Sequence, residues 1–319
     1  MSVHGALVLD KARGPTSFKA LKGVCRALGV KTAGHAGTLD PMASGVLVVL
    51  LGEAMKLSAL VMDHDKEYEA EITFGIGTDT LDAEGEVVER VAVPAGVVTR
   101  ERIEAVTASM IGDVSQVPPR YSALKVDGRT NMSRARNGED FEVAPRTVRC
   151  DAIEVLRVDG DKAVLRVACG KGYYVRALAR DLGLALTGAT AGEGGARAGL
   201  PAHLSALRRT RVGAFDLARA VTVDAVTPSA VLPIPEVVPQ VAHVVVSTDE
   251  MTALRAGRLA SWPAGLEAEV ALALGPSGEP LALVERLDSD PTRPPRMKVR
   301  RGFVPMDPPP PGDTGRTDD

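Results

Sequence analysis

The stretch Gly34-His35-Ala36-Gly37-Thr38-Leu39-Asp40-Pro41-Met42-Ala43-Ser44-Gly45, followed at once by Val46-Leu47-Val48-Val49-Leu50-Leu51-Gly52, constrains this chain more than any other. Six uncharged aliphatic residues bounded by glycines read as a strand buried on both faces. The segment before it holds one carboxylate, Asp40, beside a proline that has no backbone N–H to donate. Its glycines permit tight turns and the close approach of another molecule. A carboxylate on a loop backed by a rigid strand keeps its geometry, which makes Asp40 a candidate nucleophile. The same Asp-Pro pair is also an ordinary turn. What separates the two readings is corroboration elsewhere in the chain.

The 319 residues leave room for two domains. No apolar run approaches the ~18 residues that span a bilayer, and the N-terminus lacks a basic region or cleavage signature, so a soluble cytoplasmic protein is expected, with no membrane contact. Cys25, Cys150 and Cys169 are far apart and lack metal-ligand spacing. They are expected to be free thiols, mostly buried, with no metal site. A net charge of -3 argues against a general nucleic-acid binder. Its distribution matters more, because basic residues outnumber acidic ones between Arg120 and Arg149, and five basic residues lie between Arg293 and Arg301 without an acid. Two positive islands suit a local RNA contact.

In order, Gly5 to Asp10 reads as a strand, and a helix capped by Thr16 or Ser17 runs to Leu28, where Gly29 ends it. Glu53 to Met62 has helical spacing. Lys66 to Phe74 alternates, placing Tyr68, Ala70, Ile72 and Phe74 on one face of a strand. Gly75 to Gly85 reads as a turn, without the ending of a phosphate-binding loop or the acid spacing of an EF-hand. Thr99 to Ile111 predicts a helix closed by Gly112. Gln116 to Gly128 is extended and broken by prolines, and an arginine-rich helix follows around Asn131 to Arg136. Strands over Thr147 to Arg157 and Ala163 to Cys169 flank the turn Asp159-Gly160-Asp161, and Gly170-Lys171-Gly172 opens another helix. The Gly/Ala-rich residues 190–200 read as a flexible surface insertion. Prolines between Pro228 and Pro239 mark a linker, beyond which a strand, a helix over Asp249 to Gly257 and further short strands reach Phe303. The Pro/Gly/Asp-rich tail is expected to be disordered.

The loop His35-Ala36-Gly37-Thr38-Leu39-Asp40-Pro41-Met42-Ala43-Ser44-Gly45 resembles the catalytic-aspartate loop of the bacterial tRNA pseudouridine-55 synthases, the TruB family. Four more segments are similar to that family: Lys11 to Ser17, with Ala12 where the family has proline; Lys66-Glu67-Tyr68; Thr78 to Asp82; and Gly170 to Arg176, with Tyr173 in place of threonine. Tyr121 to Lys125 and Leu207-Arg208-Arg209 resemble it too. The resemblance implies an α+β pseudouridine synthase fold, with a mixed, largely antiparallel central sheet flanked by helices and a small C-terminal β-rich PUA-like domain. It implies a catalytic domain over 1–236 with an RNA-gripping arm at about 118–147, a PUA-like RNA-binding domain over 237–305, and a tail over 306–319.

The implied activity is isomerisation of uridine 55 in the T-arm of tRNA to pseudouridine, without a cofactor. Asp40 would be the nucleophile, attacking ribose C1' or uracil C6. Arg176 would hold Asp40 ionised, and Tyr68 would stack on the uracil. His35, Tyr174, Leu207, Lys11 and Asp79 are the expected substrate-binding residues, with His35 filling the space left by the flipped base. The expected partner is the tRNA T-arm stem-loop, bound by a monomer with no obligate protein partner. A phosphohydrolase with an aspartyl nucleophile would want a second carboxylate two residues on, where this chain has Met42. A non-catalytic RNA binder on the same fold would have no need of Asp40, Tyr68 and Arg176 together.

Overall fold

The computed structural model describes residues 3–126, 128–188, 199–288 and 294–304. The insertion expected at 190–200 lies almost wholly outside them, and the tail over 306–319 lies wholly outside.

The chain opens with β1 (Gly5–Lys11), α1 (Ser17–Leu28), β2 (Ala33–Ala36) and β3 (Ala43–Leu51). Thr16 caps α1 by accepting the Lys19 N–H, and Gly29 ends it in the left-handed region at φ 65°. The stretch expected as one short helix divides into a 3-10 turn, Gly52–Leu57, and α2 (Ser58–Met62). β4 (Lys66–Phe74) follows, and the residues read as a turn contain the first strand of a hairpin, β5 (Ile76–Thr78), which pairs with β6 (Val87–Arg90) just beyond them. Next come α3 (Arg100–Thr107), capped by Thr99, and β7 (Gly112–Gln116). A two-stranded ribbon, β8 (Lys125–Val126) with β9 (Arg129–Thr130), leads into α4 (Asn131–Arg136). Long strands β10 (Arg146–Asp159) and β11 (Lys162–Cys169), helix α5 (Val175–Ala185), β12 (Ala202–Val212) and β13 (Phe215–Asp216) complete this part of the chain.

Among the described residues, nine of these strands form one sheet in the order β1-β3-β12-β4-β11-β10-β7, with β2 on β3 and β13 on β12. All pairings are antiparallel except β12 with β3. β3 is buried on both faces, as its composition requires. Leu47, Val49 and Leu51 enter one core beneath α1 and α5, while Val46, Val48 and Leu50 enter a second. The expected face of β4 is present: Ala70, Ile72 and Phe74 lie in the first core and Tyr68 packs against it. The outer edge of β1 is covered by the chain between Val221 and Leu232, through paired hydrogen bonds between Ala6 and Leu232 and a bridge from Leu9 to Val221.

After α6 (Ile234–Val237), a second sheet forms from β14 (Ala242–Val245), β15 (Ala260–Ser261), β16 (Val270–Leu274), β17 (Pro280–Leu287) and β18 (Arg296–Gly302), with α7 (Thr248–Arg255) capped by a Ser247–Glu250 box. Leu272, Leu274, Leu283 and Phe303 of this unit share the second core with Val46, Val48 and Leu50 of β3. Glu53, in the 3-10 turn after β3, accepts the Val304 N–H, and Lys56 donates to the Gly302 carbonyl. The two sheets are therefore joined by common packing. Cys25, Cys150 and Cys169 are free, and burial pushes the Cys169 thiol up to about 12.

Candidate active site

Asp40 sits in the loop from β2 to β3, and three polar groups fix its surroundings. Ser17, at the start of α1, accepts the Leu39 N–H and donates to the Leu39 carbonyl, both at 2.9 Å. Lys11, at the end of β1, donates to the Ala43 carbonyl at 2.7 Å and to the Pro41 carbonyl at 3.4 Å. Gly14 donates its N–H to the Pro41 oxygen at 2.8 Å. The loop is thus held on both sides of the aspartate by groups from the first strand and helix, which is the preorganisation a reactive side chain needs.

The arginine expected to pair with Asp40 does so. Arg176, in the first turn of α5, places Nε 3.0 Å from Asp40 Oδ2, and its side chain is only 7% exposed against 28% for Asp40. The rest of the guanidinium is occupied as well. Nη1 donates to the Thr80 carbonyl at 3.0 Å and lies 3.4 Å from Asp82 Oδ2, while Nη2 donates to the Tyr121 carbonyl at 2.8 Å. One side chain therefore ties together the aspartate loop, the turn after β5 and the segment leading into β8. Buried arginine is kept in place by this full set of acceptors.

Asp40 is not simply stabilised as an anion by that contact. Burial pushes its carboxyl above the usual aspartate value, Arg176 pulls it down, the like charge of Asp82 pushes it up again, and Lys11 pulls it down; the net direction is upward. Arg176 thus acts in the expected direction, favouring the ionised carboxylate, but burial is the larger effect.

Asp82 is the residue that reading the sequence missed. Asp79 is the acid that the sequence favours in this turn, but its exposed carboxylate accepts the Glu86 N–H at 2.8 Å and closes the hairpin. Asp82 is 4% exposed and accepts from Thr80 Oγ1 at 2.7 Å and from the Glu84 N–H at 3.0 Å while facing Arg176. Between Thr80 and Asp82, Leu81 adopts φ 63°, the one positive value outside glycine among the described residues. A branched side chain in this region is strained, and such strain persists where the surroundings fix it. The spacing Thr80-x-Asp82, with both side chains bonding locally, is the signal that marks the second acid.

Lys11 also differs from expectation. It is fully buried on loop carbonyls, a site that leaves no surface for substrate, and burial lowers its pKa. Tyr68 lies on β4 with its phenol raised by burial, while Arg209 beside it acts in the opposite sense. Leu207, on β12, pairs in register with Ala43 and Ala70, so it flanks the loop and the tyrosine strand together. Tyr174 precedes α5, and its backbone is gripped at both ends by the Gln116 side chain. His35, on β2, is half-buried, has no partner for Nδ1, and is driven toward the neutral form by burial and then by Arg209. Among the described residues no group of His, Cys, Asp or Glu is placed to hold a metal ion.

This constellation can be set beside known proteins. The profile of the "TruB family pseudouridylate synthase (N terminal domain)" matches residues 25–175, a span that holds Asp40, Tyr68 and Asp82. The tRNA pseudouridine synthase B of Stutzerimonas stutzeri is 47% identical over 222 residues, covering 70% of this chain and 68% of that protein. The corresponding protein of Cutibacterium acnes is 41% identical over 288 residues, covering 88% and 92%. Among solved structures, a chain of a Cbf5-Nop10-Gar1 complex superposes with a TM-score of 0.67 at 26% identity, covering 95% of this chain and 85% of that one. The second sheet falls within that superposed length, so the pseudouridine synthase fold with its small C-terminal β-rich unit extends through the described chain. With identity above 40% reaching nearly the whole of one relative, this chain belongs to the TruB family of pseudouridylate synthases.

Proposed function

We propose that this protein converts uridine 55 in the T-arm of tRNA to pseudouridine. The observation that carries the reading is the contact between Asp40 and Arg176 inside a three-way ionic group with Asp82, on a loop whose backbone is fixed from both sides. The reaction breaks the N1–C1' bond, turns the uracil, forms the C5–C1' bond, releases the C5 proton to solvent and returns one proton to the freed N1. Atoms and electrons balance without a redox partner or transferred group, so the chemistry calls for no cofactor. Asp40 serves as the nucleophile, at C1' or at C6, and both routes start from its ionised carboxylate. Tyr68 stacks on the uracil, worth roughly 1 to 3 kcal/mol for a base on an aromatic ring. Leu207 and Tyr174 line the place of the flipped base, and half-buried His35 fills the space that the base vacates in the loop. Lys11 shapes this site from behind, through the loop carbonyls, rather than touching substrate.

Residues 1–236 form the catalytic domain, 237–305 the PUA-like RNA-binding domain, and about 118–147 the arm that grips the stem-loop. The protein acts as a cytoplasmic monomer without an obligate protein partner. Release of tritium from C5-labelled uridine in tRNA tests the reading directly. One equivalent released per tRNA, abolished when uridine 55 is replaced by cytidine, is the expected result. No release from any tRNA would remove the assignment.

A further inference from the structure

Arg209 is among the largest fully buried side chains in the protein, at 1% exposure. Its neighbours Arg208 and Arg211 pair with Asp10 and Glu67, whereas Arg209 makes no ion pair among the described residues. An unpaired buried charge is costly, so its retention calls for a reason. Its hydrogen bonds are specific. Nε donates to the Val46 carbonyl at 2.7 Å and Nη2 to the Gly37 carbonyl at 3.0 Å. Gly37 and Val46 are the two ends of the segment that carries Asp40, so one rigid guanidinium spans its entry and exit.

The strand geometry adds a second link. On β12, Arg209 stands in register with Gly45 of β3 on one side and Tyr68 of β4 on the other. Antiparallel partners present side chains on the same face, which puts the Arg209 side chain beside Tyr68. At Gly45, an added Cβ would meet the Arg209 carbonyl oxygen at 2.1 Å, so the strand and the loop base approach as closely as only glycine allows. The charge of Arg209 acts on both Tyr68 and His35.

We propose that Arg209 is a positioning residue for isomerisation: it ties Gly37 to Val46, fixes the path of the Asp40 loop, and sets a permanent positive charge beside Tyr68 and His35. This rests on the functional reading above. An arginine with only a packing role would change stability and leave the chemical step alone, so the test needs readouts that separate the two. Arg209→Gln removes the charge and cannot span both carbonyls, while Arg209→Lys keeps the charge and reaches one of them.

Single-turnover kinetics on T-arm RNA should show Arg209→Gln losing about 100-fold in kcat, the scale set by misplacing a reacting group, with KM changed less than about threefold because its partners are backbone groups of the protein. Arg209→Lys should lose less, about 10-fold. In an NMR titration, the His35 imidazole should titrate at higher pH in Arg209→Gln than in wild type and stay near wild type in Arg209→Lys. Wild-type kcat in either variant, or a His35 titration unmoved by Arg209→Gln, would overturn the proposal. Should the glutamine variant fail to fold, the lysine variant decides by its kcat. Absence of product from the wild-type enzyme would instead strike the functional reading, which the tritium assay reports separately.

Discussion

Arg176 Nε lies 3.0 Å from Asp40 Oδ2, and the same guanidinium faces Asp82 on its other branch. Two carboxylates thus compete for one buried cation, with Asp40 the more exposed of the pair. The competition leaves Asp40 less firmly ionised than a simple ion pair would, while holding the arginine so that it cannot swing away from the loop. The arrangement fixes the position of the reactive carboxylate more strongly than it fixes its charge.

Asp40→Asn should abolish pseudouridine formation while leaving tRNA affinity within about threefold, since the amide keeps the shape but is no nucleophile and phosphate contacts supply most of the binding. Product analysis after prolonged incubation of the pure variant, with filter binding in parallel, checks both halves.

Because burial raises Asp40 above the usual aspartate value of 3.8, kcat/KM should fall on the acid side at a higher pH than an ordinary aspartate would give. Asp82→Asn removes the like charge that pushes Asp40 upward, so the acid limb should move to lower pH. The same change loosens Arg176 and should cost about 10- to 100-fold in kcat at neutral pH. A pH–rate profile of the two proteins reads both effects. An acid limb that moves upward would show that Asp82 acts on Asp40 in some other way.

Much of this site was legible in the sequence, and the reasons differ by residue. Asp40, Tyr68 and Arg176 lie in motifs whose glycines, prolines and strand alternation declare themselves locally. β3 was readable because a strand buried on both faces has to be uniformly apolar. Asp82 was hidden because its role depends on a turn strained at Leu81, and the more exposed Asp79 has the same composition around it. Lys11 and Arg209 were misjudged or passed over for a common reason: a cation whose partners are backbone carbonyls leaves no complementary acid in the sequence to point to it. The hairpin of β5 and β6 was missed because Ile76-Gly77-Thr78 is short and glycine-bearing, and only pairing with Val87–Arg90 makes it a strand.

Gly45→Ala should be among the most damaging single substitutions in the protein. Residue 45 has φ 98°, and the new methyl would press on the Arg209 backbone at 2.1 Å, where neither strand can withdraw. A loss of about 3 kcal/mol or more in a urea melt is expected from combined strain and overpacking. A loss below about 1 kcal/mol would mean that β3 and β12 separate easily.

In the segment proposed as the arm, Glu139 pairs with both Arg129 and Arg134, and Arg120 and Arg134 lie over the Phe141 ring at 4.9 and 4.1 Å. These arginines already have partners in the free protein. Glu139→Gln should therefore release positive charge for phosphate, tightening T-arm binding by about two- to fivefold at low salt and by less at high salt. Filter binding at two salt concentrations measures it, and an unchanged affinity would show that RNA does not compete for these groups.

On β18, Lys298, Arg300 and Arg301 lie in a row of residues largely open to solvent. Replacing all three with alanine should raise KM for whole tRNA, leave kcat unchanged, and reduce the salt slope of binding by roughly 0.7 to 0.9 for each phosphate that is no longer neutralised. An unchanged slope would mark the row as a solvated face. Substitution is the right instrument here, because cutting the chain after Val238 would strip Leu272, Leu283 and Phe303 from the core they share with β3.

That shared core has a thermodynamic consequence. Val46, Val48 and Leu50 are solvated on one side if the second sheet melts, and Leu272, Leu283 and Phe303 lose their support if the first does. Neither unit is expected to have a melting temperature of its own. Calorimetry should record one heat-absorption peak with equal van't Hoff and calorimetric enthalpies, and a cavity cut at Phe303 should lower the midpoint for the whole protein, including the strand that carries the reactive loop.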